Sequence, residues 1–139
     1  MTGEAIFWPL LLQVALTYGV YGLASSRRMA AIGAGEAKPG EFKIPTNEPE
    51  RSATAIRNLS NQFELPVLFY VCCLALFTLG AVGTLAIVLA WAFVMSRIGH
   101  AYVHVTSNRL RLRRPAFIVG YFLLMAMWAL VVVRLINGA

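Results

Sequence analysis

The sequence predicts an all-α membrane protein: one domain over residues 1–139, built as a bundle of four transmembrane helices. Three observations carry that prediction. Apolar residues make up 59% of the chain and charged residues only 13%, against roughly a quarter charged in soluble domains. The charge is also unevenly placed, because four long stretches hold almost none and the ionisable residues crowd between them. A soluble bundle would instead spread charge along the wet face of every helix. Finally, each stretch matches the ~20 helical residues needed to cross a hydrocarbon core about 30 Å thick.

The first span is 5–26, with Pro9 near its start, where a missing N–H costs least. Glu4 precedes it, and the basic pair Arg27-Arg28 follows it. That order is the reverse of a cleavable signal peptide, so the span reads as a retained helix with its N-terminus outside. Residues 29–56 hold Gly33, Gly35, Pro39, Gly40, Pro45 and Pro49 together with charges of both signs, the composition of a loop rather than a fifth helix. A connection of this length is often functional.

The second span, 57–79, starts in the tail of that loop. Asn47-Glu48-Pro49-Glu50 offers a cap, a proline and acids for a helix N-terminus. Pro66 is expected to kink this helix and free the carbonyl of Gln62. Gly80-Ala81-Val82-Gly83-Thr84 makes a short turn into the third span, 82–104, so the two form an antiparallel hairpin. A short basic loop with Arg109, Arg111, Arg113 and Arg114 follows, and Pro115 opens the fourth span, 115–136.

The loops after the first and third spans, with the helix ends beside them, hold eleven of the twelve basic residues; Arg134 alone lies on the other side. The excess marks both loops as cytoplasmic and both termini as outside, in a multi-pass protein of a bacterial inner membrane. The net charge of +6 then reflects orientation and contact with anionic lipid. It does not point to nucleic acid, because no soluble domain presents a basic face. Cys72 and Cys73 are adjacent within the second span, point about 100° apart on a helix, and offer neither a disulfide framework nor a redox pair.

Arg57, Asn61 and Glu64 fall at i, i+4 and i+7, one stripe of the second helix; Arg97, His100 and His104 fall at i, i+3 and i+7 on the third. The hairpin puts both stripes at similar depth, at the cytoplasmic ends. Charged groups within a span are unfavourable by about 2.5–3.5 kcal/mol near its centre. One explanation is an interfacial network of long side chains that fixes packing. The other is a charged-ligand site between the helices. Arg28, Arg57, Arg97 and Arg113 outnumber Glu64, so the ligand is an anion, or a zwitterion rich in carboxylates that arginine forks grip while Glu64 meets an ammonium. A metal is not expected, since His100 and His104 lack a third ligand motif. Bis-histidine haem would need a histidine on a facing helix, and the chain has only these two.

At these residues the sequence resembles the MAPEG family, membrane-associated proteins in eicosanoid and glutathione metabolism, in a bacterial-type form. Arg57-x-x-x-Asn61-x-x-Glu64 before an apolar run with Pro66 looks like the family's signature on helix two. Arg97-x-x-His100, the arginine cluster before helix four, and Arg28 at the end of helix one also match. The resemblance implies a homotrimer that binds glutathione as co-substrate between subunits and takes a lipophilic small molecule from the membrane lipid.

It further implies that Arg113, or Arg114 next to it, stabilises the glutathione thiolate. Arg28, Arg57, Asn61, Glu64, Arg97, His100 and His104 would bind the rest of the peptide. His104 and Phe117 stand where eicosanoid-forming members carry tyrosines, and the first loop is longer than theirs. The expected function is a glutathione-dependent transferase or peroxidase acting on lipophilic electrophiles. The alternative is a non-catalytic lipid-binding or scaffold protein of the same family. A four-helix multidrug transporter would need a carboxylate near the middle of the first helix, and Glu4 at its very end does not supply one.

Overall fold

A computed structural model describes residues 3–43 and 48–138. A short 3-10 turn, Gly3–Ile6, leads into helix α1, Phe7–Gly33. Another 3-10 turn, Pro39–Lys43, interrupts the connection to α2, Glu50–Asn61. Helices α3, Leu65–Thr78, α4, Thr84–Val105, and α5, Leu110–Gly138, follow. Four helical stretches are long and apolar enough to cross a membrane: Gly3–Gly33, Glu50–Thr78, Thr84–Val105 and Leu110–Gly138. No strand occurs among the described residues. The expected four-transmembrane-helix architecture is present.

Several boundaries differ from the sequence reading. Helix α1 continues past Arg28 to Gly33, because Met29, Ala30, Ala31 and Ile32 are helix-compatible and the first stop signal is Gly35. Gly35 takes a left-handed φ of 73°. There the Glu36 N–H bonds the Ala31 carbonyl at 2.9 Å and the Gly35 N–H bonds that of Ile32 at 3.0 Å, a Schellman closure. Loop 29–56 is therefore helical at both ends, with α2 occupying its last part. Asn47 and Pro45 lie outside the described residues, and Pro49 stands at the N-terminal boundary of α2.

The second span breaks rather than kinks. Gln62, Phe63 and Glu64 separate α2 from α3, Glu64 leaves helical geometry at φ −99° and ψ −106°, and Pro66 falls in the first turn of α3, where its missing N–H is harmless. The fourth helix starts at Leu110, so Arg111, Arg113 and Arg114 lie on its first turns and Pro115 sits inside it. The hairpin between α3 and α4 closes as expected. Gly80 takes φ 60°, and the Ala81 N–H bonds the Leu76 carbonyl at 2.8 Å.

Helix α4 is the centre of the bundle, packing most extensively on α5 and also on α1 and α2. Phe69 stacks on Phe93 with centroids 4.5 Å apart, surrounded by buried Cys72, Cys73, Leu76, Ala86, Ala90, Leu124 and Met127. Lipid tails are as apolar as these side chains, so small residues and tight packing, not hydrophobic expulsion, hold such helices together. Gly120 of α5 is one such residue: a Cβ there would meet Ser96 Oγ at 2.8 Å. The outer face carries exposed Trp8, Tyr18, Leu85, Val88, Phe122 and Ile136, an apolar surface suited to lipid contact. The buried set includes Gln13, Asn58, Gln62, Arg97, His100 and His104. Polar groups thus sit inside, where neighbouring helices satisfy Asn58 and Gln62 but leave atoms of Gln13, Arg97 and His104 without a partner.

Candidate functional site

The break between α2 and α3 places Asn61, the last residue of α2, against the basic end of α4. Its Nδ2 lies 3.5 Å from His100 Nε2 and 3.4 Å from His104 Nδ1. His100 Nδ1 lies 3.2 Å from the Arg113 carbonyl. A carbonyl only accepts, so His100 carries its proton on Nδ1, and Nε2 accepts from Asn61. The same amide group then donates to His104 Nδ1, which leaves the His104 proton on Nε2. That atom is buried without a hydrogen-bond partner. One main-chain carbonyl on α5 thereby sets the orientation of an amide and two imidazoles on α2 and α4.

Arg97 lies one turn deeper on α4 and is fully buried. Its Nη2 donates to the Asn61 carbonyl at 3.3 Å, and its guanidinium sits 5.6 Å from the Phe117 ring centre. Nε and Nη1 are buried with no hydrogen-bond partner. Glu64 is close enough to act on Arg97 electrostatically, but no ion pair joins them. A buried guanidinium with unused N–H groups is costly and calls for an acceptor-rich neighbour.

A cavity of about 360 Å³ opens at this end, lined by Asn61, Glu64, His100, Leu110, Arg113, Arg114 and Phe117. Five of the expected site residues therefore share one cavity. Arg97 borders it through Asn61 and Phe117, and His104 lies behind Asn61. Arg57 is exposed one turn before Asn61 on α2, within electrostatic range of His104.

The structure does not bring Arg28 there. Its guanidinium forks onto Glu48, with Nε to Oε1 at 2.7 Å and Nη2 to Oε2 at 3.0 Å, and covers the Phe42 ring at 4.9 Å. The Ser52 hydroxyl donates to the same carboxylate. The connection folds back over the end of α1, so the nearest anion to Arg28 is its own loop's acid. Hydrogen bonds from Arg28 hold the Glu48 carboxyl below its ordinary value, against burial, which pushes it up; the Ser52 bond and the charge of Arg28 add to the lowering.

Four participants were not picked out from the sequence. Asn108, left-handed at φ 47°, accepts from Arg113 Nη1 at 2.8 Å and so holds that side chain. An asparagine just past a helix end is a recognised signal for that backbone conformation. Gln13 of α1, Gln62 and Asn58 form a buried amide chain: Gln13 donates to Gln62 at 2.9 Å, Gln62 to Asn58 at 3.0 Å, and Asn58 to the Ala101 carbonyl at 3.1 Å. An amide in the middle of an apolar span was the available clue.

Comparison with curated proteins and with solved structures returned no match. The MAPEG family model matches residues 5–133, nearly the whole chain. The family is one of membrane proteins related to glutathione or eicosanoid metabolism. With its four membrane-crossing stretches and this match, the chain is an integral multi-pass membrane protein that belongs to the MAPEG family.

Proposed function

We propose that the protein is a glutathione-dependent transferase or peroxidase acting on lipophilic electrophiles, and that glutathione occupies the cavity between Asn61 and Arg113. The observation that carries this reading is the concentration of cationic donors: Arg113 and Arg114 on the cavity wall, with the unpartnered Nε and Nη1 of buried Arg97 beneath. Glutathione brings two carboxylates, an ammonium and a thiol. Arg114 and Arg57 suit the carboxylates, Glu64 the ammonium, and Asn61 the peptide groups. Arg113, held by Asn108, suits the sulfur, since a nearby cation lowers a thiol's pKa and raises its thiolate fraction.

In the transferase reaction the thiolate sulfur attacks an electrophilic carbon, a C–S bond forms, and the leaving group departs with the electron pair of the broken bond. The bilayer delivers the electrophile beside α5. The cavity is near the small end for ligand sites, which run about 300–1,000 Å³. A homotrimer, in which a neighbouring subunit supplies a further wall, suits this size. The basic side faces the cytoplasm and both termini face outside, in keeping with the charge asymmetry.

A second reading has one observation in its favour. Phe117 and Leu110 supply the apolar part of the cavity wall, and no hydroxyl lines it among the described residues, which suits a lipid-binding or scaffold protein without catalysis. Equilibrium titration with glutathione in detergent separates the two. The catalytic reading predicts binding at or below millimolar concentration, retained in Arg113→Ala with loss of turnover. No binding by the wild-type protein at millimolar glutathione overturns it.

A further inference from the structure

A second site lies on the other side of α4. Arg27, near the end of α1, donates from Nη1 to the Arg51 carbonyl at 2.9 Å and to Thr54 Oγ1 at 3.3 Å, and from Nη2 to the Val105 carbonyl at 2.7 Å. A guanidinium has five N–H groups. Nε–H and one Nη2 hydrogen remain without an acceptor among the described residues. The Arg51 side chain adds a second positive charge close enough to act on Arg27. The only salt bridge among the described residues is Arg28–Glu48, so neither arginine is paired with a carboxylate.

The two arginines line a cavity of about 340 Å³ with Thr54, Thr106, Ser107 and Asn108; Glu50 is its one acid. Below it runs an apolar groove of about 280 Å³ between α1 and α4, walled by Leu16, Gly19, Leu23, Ile98, Ala101 and Val105. Val105 belongs to both. The groove's amide, Asn58, is already bonded to the Ala101 carbonyl.

Depth completes the argument. Helix α4 has 22 residues, about 33 Å at 1.5 Å each, so its last residue, Val105, reaches the edge of a hydrocarbon core about 30 Å thick. The bond from Arg27 to the Val105 carbonyl puts the basic cavity at the same level, where phosphates lie. A donor-rich cavity at phosphate depth, continuous with an apolar groove below it, matches one kind of molecule.

We propose that this is a binding site for a membrane glycerophospholipid, with its phosphate on Arg27 and Arg51 and one acyl chain in the groove between α1 and α4. It shares no lining residue with the Asn61–Arg113 cavity and does not depend on the glutathione reading.

The test uses delipidated full-length protein in detergent, re-exposed to phosphatidylglycerol, phosphatidylethanolamine or diacylglycerol, with retained lipid counted by native mass spectrometry. Both phospholipids are expected to remain at roughly one per chain, and diacylglycerol to be lost. Arg51→Ala removes an exposed side chain and should weaken retention about tenfold, the loss of one charged contact. Gly19→Phe, at a position with open space around its Cβ, should fill the groove and exclude the lipid. Arg111→Ala, an exposed charge elsewhere, should change nothing.

Equal retention of diacylglycerol, displacement of the lipid by inorganic phosphate, or unchanged retention in both Arg51→Ala and Gly19→Phe overturns the proposal. So does efficient disulfide cross-linking between Gly19→Cys chains, which would show that a second copy covers the groove.

Discussion

Arg97 is the residue on which the energetics of the site turn. It is fully buried, its charge meets one carbonyl, one ring and the field of Glu64 without an ion pair, and two of its nitrogens have no hydrogen-bond partner. A buried charge of this kind costs stability, and replacing it with an apolar side chain of similar volume is often neutral or stabilising. Arg97→Met is therefore expected to leave the thermal midpoint in detergent unchanged or raised. Glutathione affinity is expected to fall about tenfold or more, as for loss of one charged contact. Parallel melting and binding titrations check this pair of outcomes.

Glu48 gives the opposite case, a charge whose partners are all in place. Its carboxyl is held below the ordinary value, so its contribution is present above the unfolded value of about 4.3 and is lost as pH falls through the lower folded value. Glu48→Gln is expected to cost about 1.5–3 kcal/mol at neutral pH. The difference from wild type should shrink on acidification, followed by melting temperature against pH.

At the scale of elements, the contact between α4 and α5 decides where the site residues stand. Helix α5 carries Arg113, Arg114 and Phe117, and α4 carries Arg97, His100 and His104. Gly120 lets the two helices approach, with Ser96 Oγ 2.8 Å and Arg97 Cδ 3.7 Å from where a Cβ would be. Ser96 Oγ is itself bonded to the Phe93 carbonyl at 2.6 Å, so it does not move freely. Gly120→Leu is expected to destabilise by about 1–3 kcal/mol through overpacking. It should also weaken glutathione binding, because it tilts α5 and the Arg113 carbonyl away from His100. Thermal melting and a glutathione titration of the same sample report both effects.

The break at Gln62–Glu64 is the other decisive element. It ends α2 at Asn61, so that the Asn61 side chain meets both histidines while its carbonyl meets Arg97.

Over the whole molecule, the arrangement of charge and hydropathy made the four spans and their hairpin legible, because a bilayer penalises any other placement of twenty apolar residues. Spacing and the hairpin made the meeting of Asn61 with the stripe Arg97-His100-His104 legible, whereas Glu64 reaches the cavity from the break after α2 rather than along a helical stripe, and Arg57 stays exposed outside it. Ends set by local competition were less legible. Pro115 falls in the second turn of α5, where its missing N–H leaves the Arg111 carbonyl without its helical donor, so a proline that reads as a helix opening does not mark the start at Leu110. Arg28, expected at the glutathione site from the resemblance, pairs instead with Glu48, twenty residues away in a loop whose path no periodicity records. Asn108, Gln62 and Gln13 act through side-chain bonds that depend on the rotation of neighbouring helices. Polarity in an apolar run flags such residues without naming their partners.

The most direct test of the account is the protonation state of bound glutathione. Purified protein at neutral pH is mixed with glutathione while the ultraviolet thiolate absorbance and the release of protons are followed. The account predicts a thiolate band that saturates with binding and a matching proton release, both lost in Arg113→Ala while binding persists. Binding without any thiolate band in the wild-type protein would contradict it.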